Sequence, residues 1–242
     1  MPRFFIDSPL SGRQFTVLTG EQAAHARVLR LSKGDPVTLS DGQGRDYQCI
    51  VTDISADQVS LVIQSEASSE NEASVKVSVY MGFAKGDKFE HVIQKATELG
   101  ACEIIGFPCS RCVARYDNAL LQKKLPRWQK IAESAAEQSG RGVIPKVIAL
   151  NSYQQALDRA TSADLPLFFY ENEHSRTLTQ ALQGSFGSIS LMTGPEGGFS
   201  AAETDAAQAA GMQICTLGRR ILRCETAPLC ALSAVMYAAG EF

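Results

Sequence analysis

Residues 188–200 read Ser-Ile-Ser-Leu-Met-Thr-Gly-Pro-Glu-Gly-Gly-Phe-Ser. This stretch predicts the end of a buried β-strand, a glycine-rich loop and the start of a helix in which Ser200 and Glu203 form a capping box. Glycines let the main chain approach a ligand closely, and ligands of open α/β sheets bind at the carboxyl ends of strands. The loop lacks both the Lys-Ser/Thr pair of a P-loop and the spacing of a dinucleotide fingerprint. It is therefore either a binding loop of another kind or a plain connecting turn.

A second loop of the same kind follows another predicted strand. Residues 217–228 read Leu-Gly-Arg-Arg-Ile-Leu-Arg-Cys-Glu-Thr-Ala-Pro. They precede an apolar final helix, from about Pro228 to Ala239, that we expect to be buried on several sides, with a second copy of the chain as one candidate partner. Neighbouring parallel strands would bring both loops to one edge of a sheet. Arg223 and Glu225 either belong to a site there or form an ion pair that joins the loops.

The region around these loops alternates β-rich runs with helices, which predicts parallel strands joined by crossover helices. The first helix begins near Asp87, which fits a capping box with Glu90. Its predicted buried stripe is Phe89, Val92, Ile93, Ala96 and Leu99. The predicted strands are Val75–Gly82, Glu103–Pro108, Lys146–Leu150, Pro166–Tyr170, Ser188–Thr193 and Met212–Leu217.

The N-terminal part of the chain has a different pattern, with short β-like runs separated by turn residues. One helix, from Glu21 to Leu29, interrupts them, with Thr19 and Gln22 as a candidate capping box. We expect a small, mostly antiparallel barrel over residues 1–68. The polar stretch from Ser65 to Ser74 has no periodicity and predicts a linker, so we place the linker at 69–74 and the second domain at 75–242. The predicted strands of the barrel are Gln14–Leu18, Pro36–Ser40, Tyr47–Ile54 and Gln58–Ile63.

The composition is that of an ordinary globular protein. Of 242 residues, 45% are hydrophobic and 20% are charged, which excludes disordered and collagen-like chains. The first residues lack the apolar region of a signal peptide, and the longest apolar run is too interrupted to span a membrane. Seven cysteines at irregular spacing favour free thiols over a disulfide framework. We therefore expect a soluble cytoplasmic protein without a membrane partner.

Charge is distributed unevenly along the chain. The net charge is -3, yet residues 73–150 carry 12 Lys and Arg against 7 Asp and Glu. This third of the chain either faces a polyanion or forms a solvated helical surface with internal ion pairs.

The two loops together resemble the cofactor-binding signature of the ribosomal RNA small-subunit methyltransferase E family, which belongs to the SPOUT superfamily. The likeness extends over the whole chain, because further motifs stand in the expected order and at the expected distances. These motifs are Met1-Pro-Arg-Phe-Phe5, His25-Ala-Arg-Val-Leu-Arg30, Gln94-Lys-Ala-Thr-Glu-Leu-Gly100, Ser110-Arg111 and Glu137-Gln-Ser-Gly-Arg141.

The resemblance implies an α/β fold in which a SPOUT-type trefoil-knot domain follows a PUA-like β-barrel that binds RNA. It implies a homodimer that uses S-adenosyl-L-methionine to methylate N3 of one uridine in the 16S rRNA of the small ribosomal subunit. Carried over onto this chain, the cofactor-binding residues are Leu191, Thr193, Gly194, Pro195, Glu196, Gly197, Gly198, Leu217, Gly218, Ile221, Leu222, Arg223, Glu225, Thr226 and Ala227.

The chemistry of methyl transfer assigns further roles. Uracil N3 must lose a proton, and the negative charge that develops on the ring needs a cation or an N–H group nearby. Our hypothesis gives the stabilising role to Arg223 and proton acceptance to Glu196 or Glu225, although each could simply hold the loops. Capture of the RNA is assigned to cations near the resemblance motifs: Arg3, His25, Arg27, Arg30, Lys85, Lys88, Arg111 and Arg141.

Two alternatives remain open at this point. A non-catalytic RNA-binding or assembly protein would explain the basic third but not the two loops, and a nucleotide-binding enzyme would need the missing P-loop residues. Cys109 and Cys112, with Cys102 before them, lack a second pair of ligands at zinc-finger spacing, so we expect incidental thiols and no metal.

Overall fold

The computed structural model describes residues 1–242, and the chain divides into two compact units. The N-terminal unit comprises Met1–Glu72 together with Ala136–Ile144. The C-terminal unit comprises Ala73–Ala135 and Pro145–Phe242. The sequence assigns residues 136–144 to the second domain, whereas the structure places them with the first.

The N-terminal unit is built on a five-stranded sheet in the order β1-β3-β4-β5-β2. Only β1 and β3 pair in parallel, and the other neighbours are antiparallel. Buried apolar side chains from all five strands, among them Phe4, Leu18, Leu39, Tyr47 and Leu61, form its core. The strands are β1 (Arg3–Phe5), β2 (Phe15–Thr19), β3 (Pro36–Ser40), β4 (Arg45–Ile54) and β5 (Gln58–Ser68).

Two features of this sheet differ from the sequence prediction. Strand β1 is not predicted, because three residues are too few to show an alternating pattern. Strand β5 continues to Ser68, so the interpretation of residues 65–68 as linker is wrong. Their side chains are exposed, but their backbone pairs with β4, and pairing at a solvated edge leaves no apolar signal in the sequence.

The segment after β5 is held by the inserted residues 136–144. The side chain of Arg141 is only 5% exposed, and its Nη2 lies 2.6 Å from Oε2 of Glu72. The other carboxylate oxygen of Glu72 accepts hydrogen bonds from the backbone N–H groups of Gly142 and Val143. Ser40 donates its hydroxyl to the carbonyl of Gly142 at 3.1 Å. Glu72 is therefore an anchoring residue of the N-terminal unit rather than part of a free linker.

The predicted first helix is present as α1 (Gly20–Val28), but its capping box is not formed. Thr19 has the extended backbone of an N-cap, yet its side chain makes no capping hydrogen bond. The amide of Gln22 instead donates to the carbonyl of Phe5, which ties the helix to β1.

The C-terminal unit contains a six-stranded sheet in the order β11-β9-β10-β6-β7-β8, in which every pair is parallel. All six predicted strands are confirmed, with ends that differ by at most two residues. They are β6 (Lys76–Gly82), β7 (Glu103–Phe107), β8 (Lys146–Ala149), β9 (Leu165–Phe169), β10 (Ser188–Thr193) and β11 (Gln213–Cys215).

Helices cover both faces of this sheet. Val77 and Val79 of β6 face a core shared with α2 and α7, whereas Tyr80 faces a second core shared with Ala156 and Leu157 of α4. This alternation is the one expected for a sheet buried on both sides. The helices are α2 (Lys88–Glu98), α3 (Asn118–Ser139), α4 (Tyr153–Ala160), α5 (Leu178–Ala181), α6 (Ala201–Ala209) and α7 (Thr226–Ala238).

Of the two capping boxes predicted in this unit, one forms. The hydroxyl of Ser200 accepts from the N–H of Glu203, whose carboxylate accepts from the N–H of Ser200. Asp87 has φ -98° and ψ 5° and makes no side-chain cap, because capping through the side chain needs an extended N-cap backbone. Glu90 instead pairs with Arg127 at 2.7 Å.

Candidate functional site

Three loops meet at one edge of the parallel sheet. Strands β11, β9 and β10 are neighbours in that order, so their carboxyl ends lie side by side. We call the segments that follow them the β9 loop (170–174), the β10 loop (194–198) and the β11 loop (216–225). The two loops that the sequence singles out are the β10 and β11 loops, and the structure brings them together.

The three loops enclose a cavity of about 610 Å³, within the range of small-molecule and cofactor sites. Every predicted cofactor-binding residue lines it except Leu191, which is buried inside β10, and Thr226, the first residue of α7. The cavity also takes residues that the sequence did not single out as site residues: Phe169, Tyr170, Glu171, Asn172, His174, Thr216, Arg219, Arg220 and Cys224.

The β10 loop is shaped by close backbone approaches that only glycine permits. A Cβ atom on Gly82, the last residue of β6, would lie 2.6 Å from Cδ and 2.9 Å from N of Pro195. Gly198 has φ +65°, and its N–H donates to the carbonyl of Pro195 at 3.0 Å. The tight turn therefore presents its main chain to the cavity with little side chain in the way.

Lys88 of α2 joins the β10 loop to the β11 loop. Its Nζ lies 3.0 Å from Oε1 of Glu196 and 3.9 Å from Oε2 of Glu225. The backbone N–H of Lys85 donates a further hydrogen bond to Glu196, at 2.9 Å. The sequence assigns Lys88 to RNA capture, but the structure places it in the cavity wall between two carboxylates.

These contacts set the protonation of the three groups. The hydrogen bond to Glu196 raises the pKa of Lys88. Partial burial raises the pKa of Glu196, but hydrogen bonds from Lys88 and from backbone N–H groups outweigh it and leave that pKa below its ordinary value. The pKa of Glu225 is likewise lowered, since backbone and Cys224 hydrogen bonds and the charge of Lys88 outweigh burial. Both carboxylates are therefore ionised at neutral pH.

Arg223 lines the cavity with an exposed side chain. Its backbone carbonyl accepts the N–H groups of Thr226 and Ala227 at the start of α7. The ion pair with Glu225 that the sequence leaves open is not formed, because Glu225 turns towards Lys88. The guanidinium of Arg223 is thus available to a ligand.

The loop after β7 packs on the outer side of the β10 loop. Arg111 donates from Nη1 to the carbonyl of Gly197 at 3.1 Å. Ser110 donates both its N–H and its hydroxyl to the carboxylate of Glu203, which caps α6. This loop therefore supports the β10 loop from behind.

The remaining RNA-binding candidates divide by exposure. His25, Arg27 and Arg30 are exposed on or just after α1, and Lys85 and Arg111 are exposed in the C-terminal unit. The side chain of Arg3 is only 8% exposed, and its Nη2 lies 2.7 Å from Oδ2 of Asp46. Arg3 and Arg141 thus serve as structural ion-pair partners, because a buried guanidinium needs a paired carboxylate, and we leave both out of the RNA surface proposed below.

The cysteines form no recognisable ligand set. Sγ of Cys109 lies 3.4 Å from Sγ of Cys112, and all seven thiols are free. Nowhere in the chain do three or more His, Cys, Asp or Glu side chains gather in a way that could hold a metal ion.

Comparison with known proteins supports both units. A family model described as an RNA methyltransferase domain matches residues 71–236, and one described as an RNA methyltransferase PUA domain matches residues 18–64. No helix has the length and apolar character needed to cross a bilayer.

Relatives match over nearly the full chain. The ribosomal RNA small subunit methyltransferase E of Bacillus subtilis is 36% identical over 98% of this chain and 96% of its own length. The protein of the same name from a Synechocystis species is 34% identical over 91% of this chain and 72% of its own. The crystal structure of the Neisseria gonorrhoeae enzyme bound to S-adenosyl methionine superposes with a TM-score of 0.89, at 35% identity over 98% of this chain and 97% of that one. On this likeness, the chain belongs to the ribosomal RNA small subunit methyltransferase E family.

Proposed function

We propose that this protein uses S-adenosyl-L-methionine to methylate N3 of a single uridine in 16S rRNA, which family resemblance identifies as U1498. The observation that carries the proposal is the meeting of the β10 and β11 loops in one cavity. These loops carry the resemblance to the cofactor signature, and they are more than 15 residues apart in the chain.

The residues of the cavity fit this cofactor. Its volume of about 610 Å³ suits a ligand of nucleoside size, and the crowded glycines of the β10 loop expose backbone groups for hydrogen bonds. The cavity wall carries both carboxylates and cations, which complement the sulfonium, ammonium and carboxylate groups of the ligand. When bound, the cofactor supplies a methyl group on a sulfonium, which is already strongly electrophilic.

The chain's own residues then have to orient the uracil and manage its charge. Orientation alone can contribute on the order of 7–11 kcal/mol to lowering such a barrier. Arg223, exposed in the cavity, would stabilise the negative charge that develops on the ring oxygens. Glu196 or Glu225 would accept the N3 proton. Glu225 is the better candidate because its carboxylate lies 3.9 Å from Nζ of Lys88, whereas that of Glu196 lies only 3.0 Å away and is held more closely by this lysine.

Replacing Arg223 by alanine should lower kcat by on the order of 100- to 1000-fold, as expected for loss of a group that stabilises developing charge. Single-turnover kinetics with saturating RNA and cofactor would measure the change. Arg115→Ala, at an exposed arginine that does not line the cavity, is the control and should stay near wild-type. An Arg223→Ala enzyme that binds both substrates and turns over normally would remove Arg223 from the mechanism.

The pH dependence of the rate follows from the lowered pKa of Glu196 and Glu225. A carboxylate with a lowered pKa gains its proton only well below neutral pH, so neither group should titrate in the neutral range. The rate should rise from neutral to alkaline pH as uracil N3 loses its proton more readily. In Glu225→Gln the maximal rate should fall without a shift of the profile. An acidic limb near neutrality that disappears in this variant would contradict the lowered pKa of Glu225, and an unchanged maximal rate would remove Glu225 as the proton acceptor.

RNA binding is proposed to use exposed basic residues, which are His25, Arg27 and Arg30 in the N-terminal unit and Lys85 and Arg111 in the C-terminal unit. Each phosphate contact releases condensed counterions, so the affinity for 16S rRNA should fall steeply as salt rises. Filter binding over a salt series would measure the slope, which should decrease by about one unit for each of these Lys or Arg residues replaced by alanine. An affinity that does not change with ionic strength would count against this surface.

Several further properties are proposed from the family likeness. They are a trefoil knot in the C-terminal unit, a homodimer, and action in the cytoplasm on the small ribosomal subunit. An apolar surface near the chain end supports the homodimer, since Tyr237 and Phe242 are 76% and 73% exposed. Light scattering of the purified protein would test the dimer.

The proposed function is tested by mass spectrometry of 16S rRNA from cells that lack this protein. Loss of one methylated uridine, restored by the wild-type gene, is the expected result. Calorimetry adds a test of the rival functions. Binding of S-adenosylmethionine without ATP supports the methyltransferase, binding of ATP alone would indicate a nucleotide enzyme, and binding of neither would indicate an assembly protein.

A further inference from the structure

The β9 loop places a carboxylate in the cavity that the cofactor signature does not include. Glu171 follows β9 by two residues and lines the cavity together with the β10 loop. Its carboxylate packs directly on Gly198, where an added Cβ would lie within 3.0 Å of the carboxyl carbon. The absence of a side chain at Gly198 is therefore what lets this carboxylate reach the wall formed by the β10 loop.

Glu171 differs from the other carboxylates of the cavity in its partners. Glu196 and Glu225 both face Lys88, and hydrogen bonds from protein groups hold them ionised. Glu171 forms no hydrogen bond or ion pair with another residue. An ionised carboxylate has two oxygens and about four acceptor positions, and all of those of Glu171 remain available to a ligand.

The position of Glu171 in the sheet indicates which ligand group it would meet. Strand β9 lies beside β10 in the parallel sheet, so Glu171 stands at the end of the strand next to the one that carries the glycine loop. In dinucleotide-binding sheets an acidic residue placed in this way accepts a hydrogen bond from a ribose hydroxyl. The two loops differ in sequence from that fingerprint, but in both cases the acid follows the strand next to the one that carries the glycine turn.

We propose that Glu171 binds the 2′ and 3′ hydroxyls of the cofactor ribose, with each carboxylate oxygen accepting one hydroxyl. This assignment rests on the proposed function, because it requires an adenosyl ligand in the cavity. A vicinal diol offers two parallel O–H donors, which match the two oxygens of one carboxylate. Hydrogen bonds to a charged acceptor are the stronger kind.

The test pairs a change in the protein with a change in the ligand. Calorimetry would measure binding of S-adenosylhomocysteine and of its 2′-deoxy and 3′-deoxy analogues to the wild-type protein and to Glu171→Ala. Wild-type protein should bind each deoxy analogue on the order of 10-fold more weakly than the parent. Glu171→Ala should bind the parent on the order of 10- to 100-fold more weakly, and should no longer distinguish parent from analogues.

A control variant separates this contact from general effects on the loop. Glu173 lies in the same loop, but its carboxylate accepts the N–H and hydroxyl of Ser175 and does not line the cavity. Glu173→Ala should therefore keep the wild-type ratio of affinities between parent and analogues, even if the loop is loosened.

Three other outcomes would overturn the assignment. If Glu171→Ala keeps the wild-type ratio between parent and deoxy analogues, the carboxylate does not touch the hydroxyls. If it weakens S-adenosylmethionine much more than S-adenosylhomocysteine, the carboxylate responds to the sulfonium charge instead. If the wild-type protein binds neither adenosyl ligand, the proposed function itself fails, and this result is distinct from the first two.

Discussion

Replacing Gly82 by alanine should weaken the binding of S-adenosylmethionine by on the order of 10- to 100-fold. The added methyl group would lie 2.6 Å and 2.9 Å from two atoms of the Pro195 ring and backbone, closer than real Cβ contacts allow. Forcing one extra carbon into a well-packed site costs about 1–3 kcal/mol. Because Pro195 belongs to the β10 loop, the displacement falls on the cavity wall. Calorimetry with the cofactor would measure the loss.

Gly187→Ala is the matched control for this change. A Cβ there would meet only the side-chain oxygen of Asp164, at 3.2 Å, and a flexible side chain can move aside. Its cofactor affinity should stay near wild-type. Wild-type affinity in a folded Gly82→Ala protein would show that the position of Pro195 does not matter for the site.

Replacing Glu72 by alanine should lower the free energy of unfolding by about 3–5 kcal/mol. Arg141 is nearly buried, with a side chain 5% exposed, and Nη2 lies 2.6 Å from Glu72. Removal of the carboxylate takes a charged partner away from the nearly buried guanidinium and leaves the N–H groups of Gly142 and Val143 without their acceptor. Urea denaturation of the full-length protein, followed by fluorescence, would measure the change.

Glu70→Ala gives the comparison for Glu72. Glu70 is exposed and lies two residues earlier in the same segment, so its loss should change the free energy of unfolding by no more than about 0.5 kcal/mol. Equal effects of the two substitutions would contradict the anchoring role of Glu72.

The C-terminal sheet could be predicted from the sequence because its strands are buried on both faces. Runs such as Leu165–Phe169 are entirely apolar, and that signal does not depend on distant residues. Residues 136–144 gave no such signal. Their place in the N-terminal unit depends on contacts between residues far apart in the chain, such as Glu72 and Arg141, which are 69 residues apart, and no local pattern encodes pairing at that distance.

In the site, too, the features with a local sequence signal could be predicted and those that depend on distant residues could not. The β10 and β11 loops were recognised because their glycines and charged residues follow predicted strands. Lys88 was assigned to RNA, since a lysine at a helix start gives no indication of the carboxylates it will face. Glu171 was missed because its role depends on strand order, and the order β11-β9-β10 is not legible in a single sequence. Backbone geometry also determines which helix caps form. Asp87 has a side chain suited to capping, but its ψ of 5° is not the extended value that an N-cap needs.

Because residues 136–144 complete the N-terminal unit, the order of synthesis does not match the order of domains. A chain growing from its N-terminus presents the five strands early, but the guanidinium that neutralises Glu72 arrives only after more than half of the protein has been made. Domains usually fold as units during translation, yet here the first must wait for a piece of sequence inside the second. A fragment that ends at Glu72 would lack residues 136–144, and the carboxylate of Glu72 would have no Arg141 to pair with.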